Sequence, residues 1–131
     1  MPKTEEELLR EPCLIADVLP RQVPAGSPGQ YFAIEEYYLS GARRNAVKDR
    51  HINLVLKLNC YKDVSLRGET NPPPERIAAI MRSEPVNLLL DDAMIASTPD
   101  DTYLTVFHPD DELTELLRTL CAGEGLYLWK P

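Results

Sequence analysis

Residues 86–107 read VNLLLDDAMIASTPDDTYLTVF and contain three short apolar stretches separated by turn-forming residues. Aspartate and proline favour turns, and each apolar stretch has the length of a strand. The segment therefore predicts an antiparallel meander of three strands, against which the rest of the chain packs. The predicted strands are Val86–Leu90, Ala93–Ser97 and Thr102–Phe107, with turns at 91–92 and 98–101.

The residues after the meander predict a helix and a last strand. Pro109 suits the first helical position, and the three carboxylates that follow it complement the helix dipole. Leucines recur at helical spacing from Leu113 to Leu120, which predicts a buried stripe, and two glycines then end the helix. Leu126–Trp129 is the final predicted strand.

Upstream of the meander, residues 52–61 show the clearest alternation in the chain. Isoleucine and leucine occupy even positions, asparagine and lysine occupy odd positions, and Val55 is the exception. Such alternation is typical of a strand with one covered face. We therefore predict a strand over residues 52–61.

The two segments before that strand allow more than one interpretation. Residues 27–30 have the pattern of a helix start and Gly41 would end the element, so we predict a helix over Tyr31–Leu39. A strand is the alternative, because aromatic residues also favour strands. Residues 42–50 are predicted to extend a basic helix or to form an exposed loop.

Capping and proline patterns organise the remaining segments. Thr4 and Glu7 have the spacing of a capping box, which predicts a short first helix. Residues 1–29 are otherwise predicted to be loop-rich, with a short strand around Leu14–Leu19. Glu75–Arg82 follows three prolines and carries apolar residues at helical spacing, so it is predicted to be a helix.

These elements together predict an α+β fold in a single domain of residues 1–131. The sheet is expected to be mixed or mostly antiparallel, with about five strands and with helices packed on it. A length of 131 residues and a hydrophobic fraction of 44% suit one folded domain, because a single core stops growing only beyond roughly 250 residues.

Composition also bears on the compartment. Three cysteines in an acidic chain fit reduced thiols in a cytosol better than a disulfide scaffold. No apolar run reaches the roughly 18 residues of a membrane span, and residues 1–7 are acidic where a signal peptide is basic. We therefore expect a cytoplasmic protein with no membrane partner. No cofactor is predicted, since the chain lacks zinc-type cysteine pairs and a phosphate-binding glycine loop.

Charge is unevenly distributed along the chain. Residues 41–68 carry seven basic and two acidic side chains, a net of +5, whereas residues 1–40 and 69–131 carry −4 and −8. Clustered lysine and arginine predict contact with an anion or a nucleic acid. The alternative is that they pair with the protein's own carboxylates or with a second subunit. The candidate binding residues are Arg43, Arg44, Lys48, Arg50 and Lys57.

Aromatic residues extend this hypothesis. Tyr31 and Tyr38 precede the basic segment, where they would stack on nucleobases, although tyrosines at helical spacing are also typical of packing. Tyr127 and Trp129 share one face of the last predicted strand, opposite to its leucines. If the chain's own helices leave that face uncovered, it becomes a candidate surface for a partner.

Four aspartates form a candidate metal site. In an up-and-down meander, the turn at 91–92 and the end of the third strand lie at the same end of the sheet. Carboxylates that converge there predict a Ca²⁺ or Mg²⁺ site, or an acidic patch for a basic partner. Aspartates are also favoured in turns and first helical turns for local reasons. The candidate ligands are Asp91, Asp92, Asp110 and Asp111.

Nucleophilic catalysis has little support in the sequence. His51 and Cys60 fall on opposite faces of the predicted strand and roughly 30 Å apart along it, which excludes a dyad. A small hydrolase or transferase would need a site assembled from distant segments, with Asp91, His108 and Asp110 as candidates.

Three functional hypotheses follow. The leading one is a non-catalytic protein-interaction or regulatory module with segregated acidic and basic surfaces, which binds a protein partner or itself, because complementary charge favours association. The alternative is a nucleic-acid or phosphate-anion binder that uses residues 43–67. The third is the small hydrolase or transferase.

Overall fold

A computed structural model describes residues 3–131; Met1 and Pro2, with which the acidic N-terminal segment begins, lie outside them. The described chain forms five helices and seven strands. The helices are α1 Glu5–Leu8, α2 Tyr31–Leu39, α3 Ala42–Asn59, α4 Pro74–Ser83 and α5 Asp111–Gly123. The strands are β1 Cys13–Asp17, β2 Ser65–Leu66, β3 Glu69–Thr70, β4 Val86–Leu90, β5 Ala93–Ser97, β6 Tyr103–Phe107 and β7 Tyr127–Trp129.

The strands of residues 3–131 belong to one antiparallel open sheet, in the order β3-β2-β4-β5-β6-β1-β7. The predicted mixture of helices with an antiparallel sheet is confirmed, and the predicted number of about five strands is close to the observed seven but not exact. The additional strands are β2 and β3, a hairpin of two-residue strands joined by Arg67 and Gly68. Both turn residues have positive φ, 52° and 83°, as a type I′ turn requires. Strands this short leave no alternation in the sequence.

The strand predicted over residues 52–61 is wrong, because most of these residues belong to α3, which has 18 residues. Leu54, Val55 and Leu58 are completely buried at the spacing of one helical face. Val55, the exception to the alternation, is part of this face. The apparent period of two arose because Leu56 is apolar but only partly buried.

The prediction of a helix over Tyr31–Leu39 is confirmed by α2, and residues 42–50 form the first half of α3. The helix predicted at Glu75–Arg82 is α4, and the three strands of the meander are β4, β5 and β6. Residues 18–30, which connect β1 to α2, contain no regular element.

Side chains cap two of the helices as their sequences suggest. The Glu7 backbone N–H donates to the Thr4 hydroxyl at 3.2 Å, and the Thr4 N–H donates back to the Glu7 carboxylate, which completes the capping box. Helix α5 begins two residues later than predicted, because Asp110 is its N-cap and accepts from the Leu113 N–H at 2.7 Å.

The core lies between the sheet and three helices, α3, α4 and α5. Alternate residues of β4, from Val86 to Leu90, face these helices, and their partners on β5 are Ala93, Ile95 and Ser97. The leucine stripe predicted for α5 is buried in the same core at Leu113 and Leu117. One face of the sheet is therefore sealed by helices.

The opposite face is covered only in part. Helix α1 contacts β5 there, and Asn87, whose side chain alternates with the core residues of β4, donates to the Glu5 carboxylate at 3.2 Å. Leu8 of α1 is buried on this side. Among residues 3–131, no helix combines the length and the apolar character that a membrane span requires.

Candidate functional site

A groove of about 330 Å³ lies on the part of the second face that α1 leaves open. Its floor is formed by β6, β1 and β7, because Ile15 and Asp17 pair with Thr105 and Tyr103 on one side and with Trp129 and Tyr127 on the other. Helix α2 forms the wall of the groove. The lining residues used below are Asp17, Tyr31, Glu35, Tyr103, Thr105 and Trp129.

Asp17 is the buried charge of this groove, with only 2% of its surface exposed. Its Oδ1 accepts from the Leu19 backbone N–H at 2.9 Å, which closes the turn after β1. Burial raises the pKa of the Asp17 carboxyl, the hydrogen bond from Leu19 opposes this change, and the negative charge of Glu35 adds to it. Within residues 3–131, neither Asp17 nor Glu35 forms an ion pair.

Two tyrosines share the negative environment of these carboxylates. Burial raises the pKa of the Tyr31 and Tyr103 hydroxyls, and the charges of Asp17 and Glu35 raise both further. The lining contains no lysine or arginine among the described residues. The groove is therefore aromatic and negatively charged.

Trp129 adds an unused donor to the lining. Its indole N–H is buried and has no acceptor among the described residues, although a buried indole N–H usually finds one. Trp129 is also the only tryptophan of the chain. Its spectroscopic signals therefore report on this groove alone.

Helix α2, beside the groove, exposes its apolar side chains. None of its nine residues is buried, although seven of them are aromatic or aliphatic. Phe32 is 47% exposed, Ile34 46% and Tyr37 55%. A helix that is apolar around most of its circumference is normally buried. Its exposure here extends the groove into a larger apolar surface.

The candidate aromatic residues Tyr31 and Tyr38 are found on this helix, and each packs against the ring of a neighbouring residue. Tyr31 packs edge-on against Phe32, with ring centroids 5.4 Å apart, and Tyr38 packs in the same way against Tyr37 at 5.6 Å. The Arg43 guanidinium lies over the Tyr37 ring, 3.9 Å from its centroid, and its Nε donates to the Tyr37 carbonyl at 2.7 Å. Arg43 is thus held against α2.

Most of the basic segment pairs with the protein's own oxygen atoms. Arg44 pairs with Asp100 at 2.9 Å, and Lys57 pairs with Glu124 at 3.2 Å. Arg50 donates to the Gly125 carbonyl at 3.3 Å. The alternative in which the basic segment is neutralised within the chain therefore agrees with these contacts.

Lys48 differs from the other basic residues because it is buried, with 3% of its surface exposed. Its Nζ donates to the Ser97 hydroxyl and to the Thr98 carbonyl, each at 3.0 Å. It forms no ion pair within residues 3–131. Burial lowers the pKa of Lys48 to about 8, although Asp101 and Asp100 oppose this change.

His51 lies one helical turn from Lys48 and is completely buried. Its Nε2 donates to the Thr102 carbonyl at 2.9 Å, because a carbonyl can only accept, and its Nδ1 is left without a partner. Burial, together with the charge of Lys48, lowers the pKa of His51 to about 3. His51 is therefore a neutral core residue.

At the opposite end of the sheet, the structure brings Asp91, Asp92 and Asp110 to one cleft of about 100 Å³, with Asp111 next to it in the chain. Lys62 enters this cluster, with its Nζ 3.6 Å from the Asp91 carboxylate and 3.1 Å from that of Glu112. Within the described chain, no group of three or more histidine, cysteine or carboxylate side chains is arranged to hold a metal ion. Lys62 therefore offsets part of the negative charge at this end of the sheet.

The structure does not bring His51 and Cys60 together, whereas His108 lines one cleft with Asp91 and Asp110 and a second pocket with Cys13. His51 lies in the middle of α3 and Cys60 is its C-cap, so the two are about 13 Å apart by helical rise and not 30 Å apart on a strand. His51 is buried whereas Cys60 is exposed. The Nδ1 of His108 donates to the Asp92 carbonyl in the turn between β4 and β5, at 2.9 Å. Burial raises the pKa of Cys121 to about 12, so that thiol is inert.

The sequence reasoning missed Asp17, Glu35 and Tyr103 as residues of a site. The available signal was the alternation of residues in β6, where Tyr103 and Thr105 lie on the face opposite to buried Leu104. The same alternation in β7 places Trp129 on that face. The sequence of a strand does not specify which helix packs beside the residues on that face. The position of α2 decided it.

The chain matches no protein-family model, no curated protein and no solved structure. A proposal about its function therefore rests on the groove and on the surfaces around it.

Proposed function

We propose that this protein is an interaction module that binds a basic partner protein and takes one arginine or lysine side chain of that partner into the groove. The observation that supports this most directly is the composition of the groove. Asp17 and Glu35 stand among aromatic rings with no cation of the described chain paired to them. Such a site is complementary to a cationic side chain.

The chemistry of recognition would combine two attractions. Aromatic rings attract a cation through their negative faces, and a carboxylate forms short, charge-assisted hydrogen bonds with it. Tyr31 and Tyr103 supply the rings, while Asp17 and Glu35 supply the carboxylates. Arg43 over the ring of Tyr37 is an example of the same pairing within the chain.

Helix α2 would supply the contact area around this anchor. A single cationic side chain binds weakly, and stable interfaces bury a central apolar patch as well. Phe32, Ile34 and Tyr37 are exposed next to the groove and fit that role. The anchor would select the partner, and α2 would hold it.

A partner of opposite charge is favoured over a second copy of this chain. A two-fold interface sets the same patch of both subunits together. On α2 this would bring the carboxylates of Glu35 and Glu36 close to their own copies. The protein also carries a net charge of −7, so it attracts basic partners at long range.

The experiment uses the indole N–H resonance of Trp129 as the reporter of the groove. A short peptide with one arginine between leucines is titrated into the protein, and the control peptide has citrulline, the neutral isostere of arginine, at the same place. We expect the resonance to shift with the arginine peptide and to shift far less with the citrulline peptide. Equal shifts with both peptides, or no shift at millimolar concentration, would contradict the proposal.

A pair of variants tests the same proposal through the protein. Asp17→Asn keeps the acceptor that binds the Leu19 N–H but removes the charge, so we expect it to weaken arginine-peptide binding by about tenfold, the loss of one charge-assisted hydrogen bond. Glu36→Gln removes an exposed charge of α2 that does not line the groove and serves as the control. Equal effects of the two variants would assign the binding to net charge.

A further inference from the structure

We infer that a second cleft, between α3, α4 and the loop from β5 to β6, is a binding site for a compact oxyanion such as sulfate or a phosphate group. The cleft has a volume of about 320 Å³ and lies apart from the groove, since the two share no lining residue. It is lined by three cations, Arg44, Lys48 and Arg82, and by one carboxylate, Asp100. The inference is independent of the proposed protein partner.

Lys48 is the residue that points to a ligand. A buried ammonium group is strongly unfavourable unless it is paired with a charge or fully hydrogen-bonded. The two acceptors of Lys48, the Ser97 hydroxyl and the Thr98 carbonyl, are neutral and use two of its three N–H donors. Asp101 and Asp100, in the loop from β5 to β6, act on Lys48 at longer range without pairing with it. An oxyanion in the cleft would accept from the third donor and supply a directly bonded negative charge.

The two arginines are available to the same anion. Arg44 pairs with Asp100 and Arg82 pairs with Asp49, but each of these four side chains is more than two-fifths exposed. Exposed ion pairs of this kind contribute little to stability, so an arginine can turn from its carboxylate to a ligand at small cost. Lys48 and Arg82 line the same cleft, and the charge of Arg82 contributes to the lowered pKa of Lys48.

The size of the cleft favours a small anion over a nucleic acid. A volume of about 320 Å³ accommodates a small molecule or one phosphate group, whereas nucleic-acid binding needs a long positive track. The other basic residues of the segment pair with carboxylates or carbonyls of the chain. The net charge of −7 would moreover repel a polyanion.

Anion binding in this cleft should be coupled to the protonation of Lys48. Because Lys48 has a pKa of about 8, it is partly neutral above that pH, and a bound anion would raise its pKa. Anion binding above about pH 8 should therefore take up a proton, and affinity should fall as the pH rises through 8. Sulfate is the suitable probe, because its own charge does not change in this range.

The first experiment compares two arginines of α4 in thermal unfolding, with sodium sulfate against sodium chloride at equal ionic strength. Arg82 lines the cleft, whereas Arg76 does not, although it also pairs with an exposed carboxylate, that of Glu69. We expect millimolar sulfate to stabilise the native protein and Arg76→Ala equally, and Arg82→Ala much less. Loss of one arginine contact should weaken sulfate affinity by about tenfold.

The second experiment is calorimetric titration of sulfate at about pH 6.5 and about pH 8.5, in two buffers of different ionisation enthalpy. We expect proton uptake in the native protein at the higher pH only, and none in Lys48→Arg, whose guanidinium stays charged. Sulfate stabilisation that is equal in Arg82→Ala and Arg76→Ala would overturn the inference. Absence of binding, or binding of single-stranded RNA without binding of sulfate, would overturn it as well.

Discussion

Asp17, Lys48 and His51 are ionisable side chains that lie inside the protein without a partner of opposite charge among the described residues. Hydroxyl groups and backbone groups provide their hydrogen bonds instead. Burial disfavours the charged form of each one, so the pKa of the acid is raised and the pKa values of the two bases are lowered. These three residues therefore make folding depend on pH.

His51 predicts loss of stability in acid. Its pKa is about 3 in the folded protein and 6.5 in the unfolded chain, so the unfolded chain binds more protons between these values. The free energy of unfolding should therefore fall as the pH falls from about 6.5 to about 3, by on the order of 4 kcal/mol from this residue alone. Urea unfolding across this range measures the change. His51→Leu should flatten the curve, and an unchanged slope in that variant would contradict the assignment.

The contribution of Asp17 to the free energy of unfolding should depend on pH in the opposite direction. Its raised pKa means that the folded protein binds the proton more tightly than the unfolded chain, so the charged carboxylate destabilises the fold at neutral pH. Asp17→Asn should therefore raise the melting temperature at about pH 7, even though it weakens binding in the groove. Scanning calorimetry of this variant and of Glu36→Gln provides the comparison. A lower melting temperature for Asp17→Asn would show that the charge itself holds the turn.

At the scale of elements, α5 is stabilised by its N-cap. Asp110 accepts from the Leu113 N–H at 2.7 Å, whereas Asp111, the next residue, has the same charge without that bond. Asp110→Ala should lower the free energy of unfolding by about 1 kcal/mol, and Asp111→Ala by only a few tenths, since both lose the attraction to the helix dipole. Denaturant unfolding of both variants tests this. Equal losses would mean that charge, and not the cap, is responsible.

Helix α3 shows why one element was assigned wrongly. Over residues 52–58 an apolar residue occupies each even position, and only Val55 interrupts the pattern. A strand with alternating apolar and polar residues accounts for six of these seven residues. The helix instead places Val55 on its buried face and leaves Leu56 half-buried. Short apolar runs fit both periods. The contacts of α3 with α4 and α5 stabilise the helix.

At the scale of the whole molecule, charges that are segregated along the chain become interleaved in space. Lys57 meets Glu124, Lys62 meets Asp91, and Arg44 meets Asp100, each across more than 25 positions of sequence. The groove remains negative because no cation of the described chain pairs with its carboxylates. Its charge is available to a partner.

The charge of α2 predicts that the isolated protein is a monomer. A two-fold contact through this helix would oppose Glu35 and Glu36 to their copies. Sedimentation velocity at micromolar concentration should therefore show one species with the mass of one 14.8 kDa chain. A dimer that Phe32→Ser dissociates would replace the basic partner by a second copy of the chain. Because Phe32 is 47% exposed, the substitution should change stability by no more than about 0.5 kcal/mol.

Part of the fold could be read from local signals. The meander from Val86 to Phe107, the capping box at Thr4 and the leucine stripe of α5 each depend on neighbours a few residues away, and the structure confirms them. The hairpin of β2 and β3 has no clear local signal, because arginine at the positive-φ position 67 is not a typical residue of such a turn. The candidate site was foreseen only at Tyr31 and Trp129.

Short-range preferences of the backbone, and the spacing of apolar residues, were enough to define the C-terminal strands, the helices beside them and the acidic and basic segments. The groove needed more, since Asp17 and Glu35 are eighteen positions apart and Trp129 comes from the far end of the chain. Whether a polar side chain is buried, paired or open to a ligand depends on which element covers it. That covering is a long-range packing outcome, and no local pattern of residues specifies it.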